Sequence, residues 1–409
     1  GTLAGCGDGA PKPVTFNKDI APIVFANCAS CHRPGGDGPF SLLTYADAAK
    51  HAQAIGEETL ERHMPPWLPE PGDFPLSGVR RLTPAQIETI QNWVTTGKVE
   101  GDARDLPSTP VFSPDWQLGK PDAVLTLPRP YVLKPGRNDV YRNVIFRTSL
   151  PDDVYIRAVE LRTGGNPIHH ALIRIDRTSG ARRRDGEGGQ PGFDGMSAET
   201  LQDPDGQFLG WAPGRGPMVS PDRMPWRLPR TADVVVELHL IPEDDPVNIQ
   251  PTIGLYFSSD PPARVPVTGK LVSKMIDIPA GDANYPVNDR FELPVAVELL
   301  GLFPHAHFLG KEMRVTARLP GQNAPKTLLH IKHWSFHWQQ DYRFVTPVSL
   351  PKGTAIDMRF TYDNSANNKE NPSDPPVRVR SGVRSTDEMA NLGLQFVVAS
   401  PEDAAVLLT

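Results

Sequence analysis

The 409 residues carry 42 lysines and arginines against 48 aspartates and glutamates, and the net charge of -6 argues against a nucleic-acid partner. With 39% hydrophobic residues the chain can bury cores of ordinary size in two or three domains, and no apolar run is long enough to span a bilayer. Its 45 prolines and 35 glycines punctuate short runs rich in Val, Leu, Ile, Phe and Tyr, a pattern that favours β-sandwich over helical architecture.

Residues 1–15 read as a flexible leader. Within it Leu3-Ala4-Gly5-Cys6 resembles the lipobox of bacterial lipoproteins. That implies a lipidated Cys6 tethered to a membrane; the alternative is an unmodified tail cysteine.

From 16 to 104 the pattern is helical. Ile20, Ile23 and Val24 fall at helical spacing, residues 45–60 hold helix formers with few breakers, and Thr83-Pro84 predicts an N-cap followed by a first-position proline. One small all-α domain is expected here. It carries Cys28-Ala29-Ser30-Cys31-His32, whose spacing is that of a c-type haem attachment site. Both thiols can add across the haem vinyl groups, and His32 can supply an axial nitrogen. The alternative, a zinc half-site or redox dithiol, needs further ligands close by.

His63-Met64-Pro65-Pro66-Trp67 resembles the turn that precedes the last helix of small cytochrome c domains. The resemblance puts Met64 forward as the second axial ligand, with His63 as a competitor. Covalent haem implies an extracytoplasmic setting, the bacterial periplasm or cell envelope. The haem motif uses two of the three cysteines, so no internal disulfide is expected.

Residues 105–122 read as a Pro-, Ser- and Asp-rich linker, and from 123 to 409 the chain changes character. Alternating runs at 140–147, 154–161, 234–240, 313–319 and 355–362 recur between Pro and Gly turns and predict antiparallel strands of one or two sandwiches.

Histidine placement adds the second chemistry. His305 and His307 stand at i and i+2, so in a strand both can face one metal. His169 and His170 are adjacent and can share a metal only across a bulge or turn, for which Asn166-Pro167 gives an opening. His51 is expected on a helix surface. His330, His333 and His337, among Trp334, Phe336 and Trp338, are expected to be ordinary neighbours of packed aromatics.

Four motifs occur in order: Asn166-Pro167-Ile168-His169-His170, Glu237-Leu238-His239, Pro304-His305-Ala306-His307-Phe308-Leu309-Gly310-Lys311 and Ser385-Thr386-Asp387-Glu388-Met389-Ala390-Asn391-Leu392. Together they resemble the type II copper, ascorbate-dependent monooxygenases, the family of peptidylglycine α-hydroxylating monooxygenase and dopamine β-monooxygenase, over about residues 123–400.

The resemblance implies two antiparallel, jelly-roll-like sandwich subdomains, 123–265 and 266–409, each holding one copper. His169, His170 and His239 would hold the electron-transfer copper. His305, His307 and Met389 would hold the copper where dioxygen is used, a thioether favouring Cu(I). Asn391 matches a substrate-binding position. The peptide-amidating relatives clamp a carboxylate with an arginine and a tyrosine, and here those places hold Phe303 and Gly393. A small neutral or apolar substrate is therefore expected.

The leading expectation is a copper-dependent monooxygenase that hydroxylates an aliphatic C–H bond with O2, its electrons arriving from a donor through the fused haem. The alternatives are a non-catalytic haem and copper electron-transfer protein, and a zinc hydrolase built on His169, His170 and His239.

Overall fold

The computed structural model describes residues 13–36, 38–113, 115–163, 168–195 and 200–408. Cys6 and the Asn166-Pro167 pair lie outside the described residues. The chain divides into two units, one of residues 1–67 and 79–114, the other of residues 68–78 and 115–409.

The first unit opens with a π-helical turn, Phe16–Ile20, that runs into the helix Ala21–Asn27. Tyr45–Lys50, Ala52–Leu60 and Pro84–Thr95 follow. Phe16, Ile20, Val24, Ile55, Ile90 and Trp93 form its core, recurring at spacings that keep them on one helix face. Thr83 caps Pro84–Thr95 in a reciprocal box with Gln86, and Pro84 occupies the first turn, where its missing N–H costs nothing. The expected 45–60 helix breaks at His51, which is half-buried and stacked on Phe40 with ring centroids 3.8 Å apart.

The second unit is β-rich and all its named strand pairs are antiparallel. In its N-terminal half one sheet runs Ala123–Thr126, Thr252–Ser258, Val154–Arg162, Trp226–Leu228. The facing sheet is built on Val140–Phe146, Asp233–Leu240 and Ile168–Asp176. Ile156, Val159 and Leu255 from the first share one core with Phe146, Ile173 and Val236 from the second, which makes a sandwich. The C-terminal half has a sheet ordered Val267–Ser273, Ala390–Val397, Val297–His305, Tyr342–Leu350 and another ordered Tyr285–Glu292, Ala355–Tyr362, Gly310–Arg318, Lys326–Ile331.

Named contacts dock the halves. Asp341 pairs with Arg215, Arg343 Nη1 donates to the Val219 carbonyl (2.7 Å), and Gln395 Nε2 donates to the Gly206 carbonyl (2.8 Å).

The expected architecture, a small all-α cytochrome c domain followed by two all-β subdomains, needs correction. Strands make up 34% of the described residues and helices 16%, and the N-terminal part is a short helical region, not a distinct all-α domain. Its longest helix has 12 residues. The physical cause is proline: Pro65, Pro66, Pro69, Pro71 and Pro75 remove N–H donors and bar their predecessors from helical backbone.

Leu68–Gly78 instead joins the β unit. It bridges Ile331 from Pro69 and Phe344 from Leu76, and Ser77 N–H donates to the Arg343 carbonyl (2.8 Å). These contacts cover the edge strands of both C-terminal sheets. Near the end of the expected linker, Gln117 N–H donates to Glu160 Oε1 (2.9 Å) and Tyr256 Oη to the Gly119 carbonyl (3.0 Å).

Candidate metal centres and haem site

In the ladder between Asp233–Leu240 and Ile168–Asp176, His239 faces His170 while Leu240 faces Ile168. His169 is therefore the extra residue of a β-bulge, and the bulge turns two consecutive histidines toward one point. The Nδ1 atoms of His169, His170 and His239 lie 3.1–3.2 Å apart. Three nitrogens at ~2.0 Å from one ion in tetrahedral array stand about 3.3 Å apart, so the triad fits a metal. Among the described residues it is the group of three or more His, Cys, Asp or Glu whose ligand atoms converge in this way.

His239 is 1% exposed, stacks on Tyr141 at 4.6 Å, and donates from Nε2 to Asp139 Oδ2 at 2.8 Å. That carboxylate fixes its tautomer with Nδ1 bare. Burial alone would raise the Asp139 carboxyl, but hydrogen bonds from His239 and Ser385 hold it below the ordinary carboxylate range. Burial lowers His169 to about 3 and takes His170 well below the imidazole range, so both rings are neutral and able to ligate.

His305 ends the strand Val297–His305, and the His307 ring stands 5.2 Å from it, nearly perpendicular. His305 Nδ1 meets Gln339 Oε1 at 2.6 Å, and His307 Nδ1 donates to the Asp387 carbonyl at 3.0 Å. Since the Gln339 amide nitrogen is engaged with the Phe336 carbonyl, its oxygen faces His305, and both imidazoles present a bare Nε2. Burial lowers His305 to about 3 and lowers His307 as well.

Met389 adjoins this pair through Glu388. The Glu388 carboxylate is fully buried and accepts N–H bonds from His307 (2.9 Å), Leu309 (2.7 Å) and Met389 (3.0 Å). Burial pushes its carboxyl up to about 8, although those three donors pull the other way. Tyr362 Oη holds the Met389 carbonyl at 2.6 Å, and Asn391 Nδ2 lies 3.5 Å from the Met389 sulfur. Two imidazoles and a soft thioether suit copper better than a hard cation.

His170, His305, Met389, Asn391 and Phe303 line one cavity of about 280 Å³. Phe208, Trp211 and Leu172 supply apolar wall. Four of the charged residues on its lining are ion-paired: Arg174 with Asp203 (2.8 Å), Lys270 with the same Asp203 (3.3 Å), and Asp341 with Arg215. A Cβ at Gly393 would stand 3.1 Å from the Phe208 ring and 3.3 Å from the Phe303 Cβ, so the missing side chain lets the Phe208 ring close over this strand.

The Cys28-Ala29-Ser30-Cys31-His32 motif lies in the first unit. Cys28 ends the helix Ala21–Asn27, and its carbonyl accepts from the N–H groups of Cys31 (3.1 Å) and His32 (2.9 Å). Burial raises the Cys28 thiol to about 12, which disfavours the redox-dithiol reading. His32 Nδ1 donates to the Phe40 carbonyl (3.2 Å), leaving Nε2 bare for an iron. Gly36 and Gly38 crowd this turn: a Cβ on Gly38 would meet His32 Nδ1 at 2.8 Å. These residues fit a covalently held haem. Met64 follows the end of Ala52–Leu60 with its N–H on the Glu58 carbonyl (3.0 Å), and His63 is exposed beside Glu58 and Glu61.

Four residues at these sites have no role assigned from the sequence: Asp139, Gln339 and His337, which lie outside the four motifs, and Glu388, which lies inside the last of them. His337 was expected to be a bystander, yet its Nδ1 lies 3.2 Å from His169 Nε2. The aromatic cluster 334–338 was the available signal.

No family model matches the chain, and no curated protein does. Among solved structures, the chain is similar to the Cowpea mosaic virus top component at 8% identity, over 65% of this chain and 89% of that one, with a TM-score of 0.30. It is also similar to the major capsid protein P2 from Bacteriophage PM2 at 8% identity, over 68% and 98%, with a TM-score of 0.27. Likeness at this level carries no argument about fold or function. Among the described residues no helix is long and apolar enough to cross a membrane.

Proposed function

We propose that this chain is a copper-dependent monooxygenase that hydroxylates an aliphatic C–H bond of a small neutral or apolar molecule, with electrons delivered through a haem on Cys28, Cys31 and His32. One observation carries the reading: a His169, His170, His239 triad and a His305, His307, Met389 set both reach the walls of one apolar cavity. Bound copper would supply the one-electron chemistry that dioxygen reduction and C–H cleavage require.

The residues around it do the rest. Phe208, Trp211 and Phe303 exclude water and hold an apolar substrate, and Asn391 offers an amide beside Met389 to orient it. Asp139, Gln339 and the Asp387 carbonyl fix the imidazole tautomers, so the ligand nitrogens need no reorganisation. Glu388 ties the backbone of His307 to that of Met389. Met64 is the proposed second axial ligand of the haem, and carrying the donor on the same chain raises its effective concentration.

The test is turnover of small neutral aliphatic compounds under 18O2 by copper-loaded protein with reduced haem as the reductant. The account expects one labelled oxygen atom in the product. Oxygen uptake or haem oxidation with no oxygenated product, across the panel, would favour the non-catalytic electron-transfer protein.

A further inference from the structure

Residues 332–341, between the strands Lys326–Ile331 and Tyr342–Leu350, touch both histidine sets. Gln339 receives His305, and Trp334 Nε1 donates to the His307 carbonyl at 3.1 Å. The Phe336 ring lies 5.1 Å from His169 and 5.7 Å from His307. His337 Nδ1 is 3.2 Å from His169 Nε2, and its own Nε2 lies 3.5 Å from Glu370 Oε2.

His169 belongs to the N-terminal sandwich and this segment to the C-terminal one. His169 presents Nδ1 to the triad, so its Nε2 bears the hydrogen and needs an acceptor. His239 solves that problem with Asp139; the acceptor for His169 comes from the opposite sandwich.

We infer that His337 is a positioning residue for the metal triad: it accepts from His169 Nε2–H and passes its own Nε2–H to Glu370. Metal uptake at the triad and docking of residues 332–341 are thereby linked, because the orientation of His169 that binds the ion is the one that bonds to His337. The inference rests on the triad holding a metal, not on the reaction that follows. An outer partner of this kind is worth about 10–100-fold in metal affinity.

The experiment titrates copper into the metal-free full chain against a Cu(I) chelator and records electron paramagnetic resonance of the Cu(II) form. It compares wild type with His337→Ala, His337→Asn and Glu370→Gln. Asn places an acceptor oxygen where Nδ1 stood, so it restores triad affinity to within a few-fold while His337→Ala loses 10–100-fold and alters the triad signal. Glu370→Gln gives a smaller loss, since it removes only the outer link.

Hydrogen exchange supplies a second readout: copper slows exchange in residues 332–341 of wild type and His337→Asn, and much less in His337→Ala. If wild type binds no copper at the triad, the metal reading itself falls. If wild type binds copper and His337→Ala matches it in affinity, spectrum and exchange, only the role of His337 is overturned.

Discussion

Removing the Glu388 carboxylate is the sharpest structural perturbation of the Met389 site. In Glu388→Ala the N–H groups of His307, Leu309 and Met389 lose their common acceptor inside the protein. A buried polar group left unpaired costs ~1–3 kcal/mol, so three together, relaxed in part by entering water, destabilise by on the order of 3 kcal/mol or more. In a domain of this size that is a fall of on the order of 5–10 °C in Tm. Glu388→Gln keeps one acceptor oxygen and turns an NH2 toward a fellow donor, so its loss should be smaller but measurable.

Both variants loosen the backbone that carries His307 and Met389, while the triad ligands are untouched. The assay is thermal unfolding of metal-free protein, followed by copper counting and electron paramagnetic resonance after reconstitution. Expected is a lowered Tm with one copper retained at the triad. Glu388→Ala with wild-type Tm and both coppers would refute the reasoning.

Other perturbations follow the same logic. Burial alone would raise the Asp341 carboxyl, but Arg215 and Arg343 hold it below the ordinary range. Its contribution is therefore present above the unfolded carboxylate value of about 4 and is lost as pH falls through the lower folded value. Asp341→Asn should destabilise at neutral pH by about 3–5 kcal/mol and flatten the acid limb of a stability-versus-pH curve; an unchanged limb would contradict the pairing. Gly38→Ala pushes a Cβ against the His32 ring, so the fraction of chains carrying covalent haem, measured by mass spectrometry, should fall. Adding a carboxylate to a neutral substrate that is turned over should lower kcat/KM by about 30-fold, the equivalent of a missing charge-assisted clamp of ~2 kcal/mol. Equal turnover of the acid would overturn the apolar-cavity argument.

Period and punctuation made much of the β region legible: strands occupy Val140–Phe146, Val154–Arg162, Asp233–Leu240, Gly310–Arg318 and Ala355–Tyr362, where apolar alternation lies between Pro and Gly turns. The cap at Thr83 was equally readable, because capping is local chemistry. The N-terminal architecture was not. Its helices were read from apolar spacing, helix formers and the cap, but the proline-rich stretch 68–78 follows the edge strands of the β unit, a long-range pairing that local pattern does not encode.

The candidate site divides the same way. The histidines stood out by spacing, and the i, i+1 pair required a bulge, which lies at His169. Asp139, Gln339 and His337 are isolated polar residues far from their partners in sequence. Glu388 lies within the motif at residues 385–392, but only folding places three backbone donors around it.

The central claim is that two separate copper sites share this chain. Copper analysis with electron paramagnetic resonance on wild type, His239→Ala and His305→Ala tests it directly. The account predicts two type II coppers per chain in wild type and one in each variant, with different signals left behind. A single copper in wild type, or both variants emptying the same site, would contradict it.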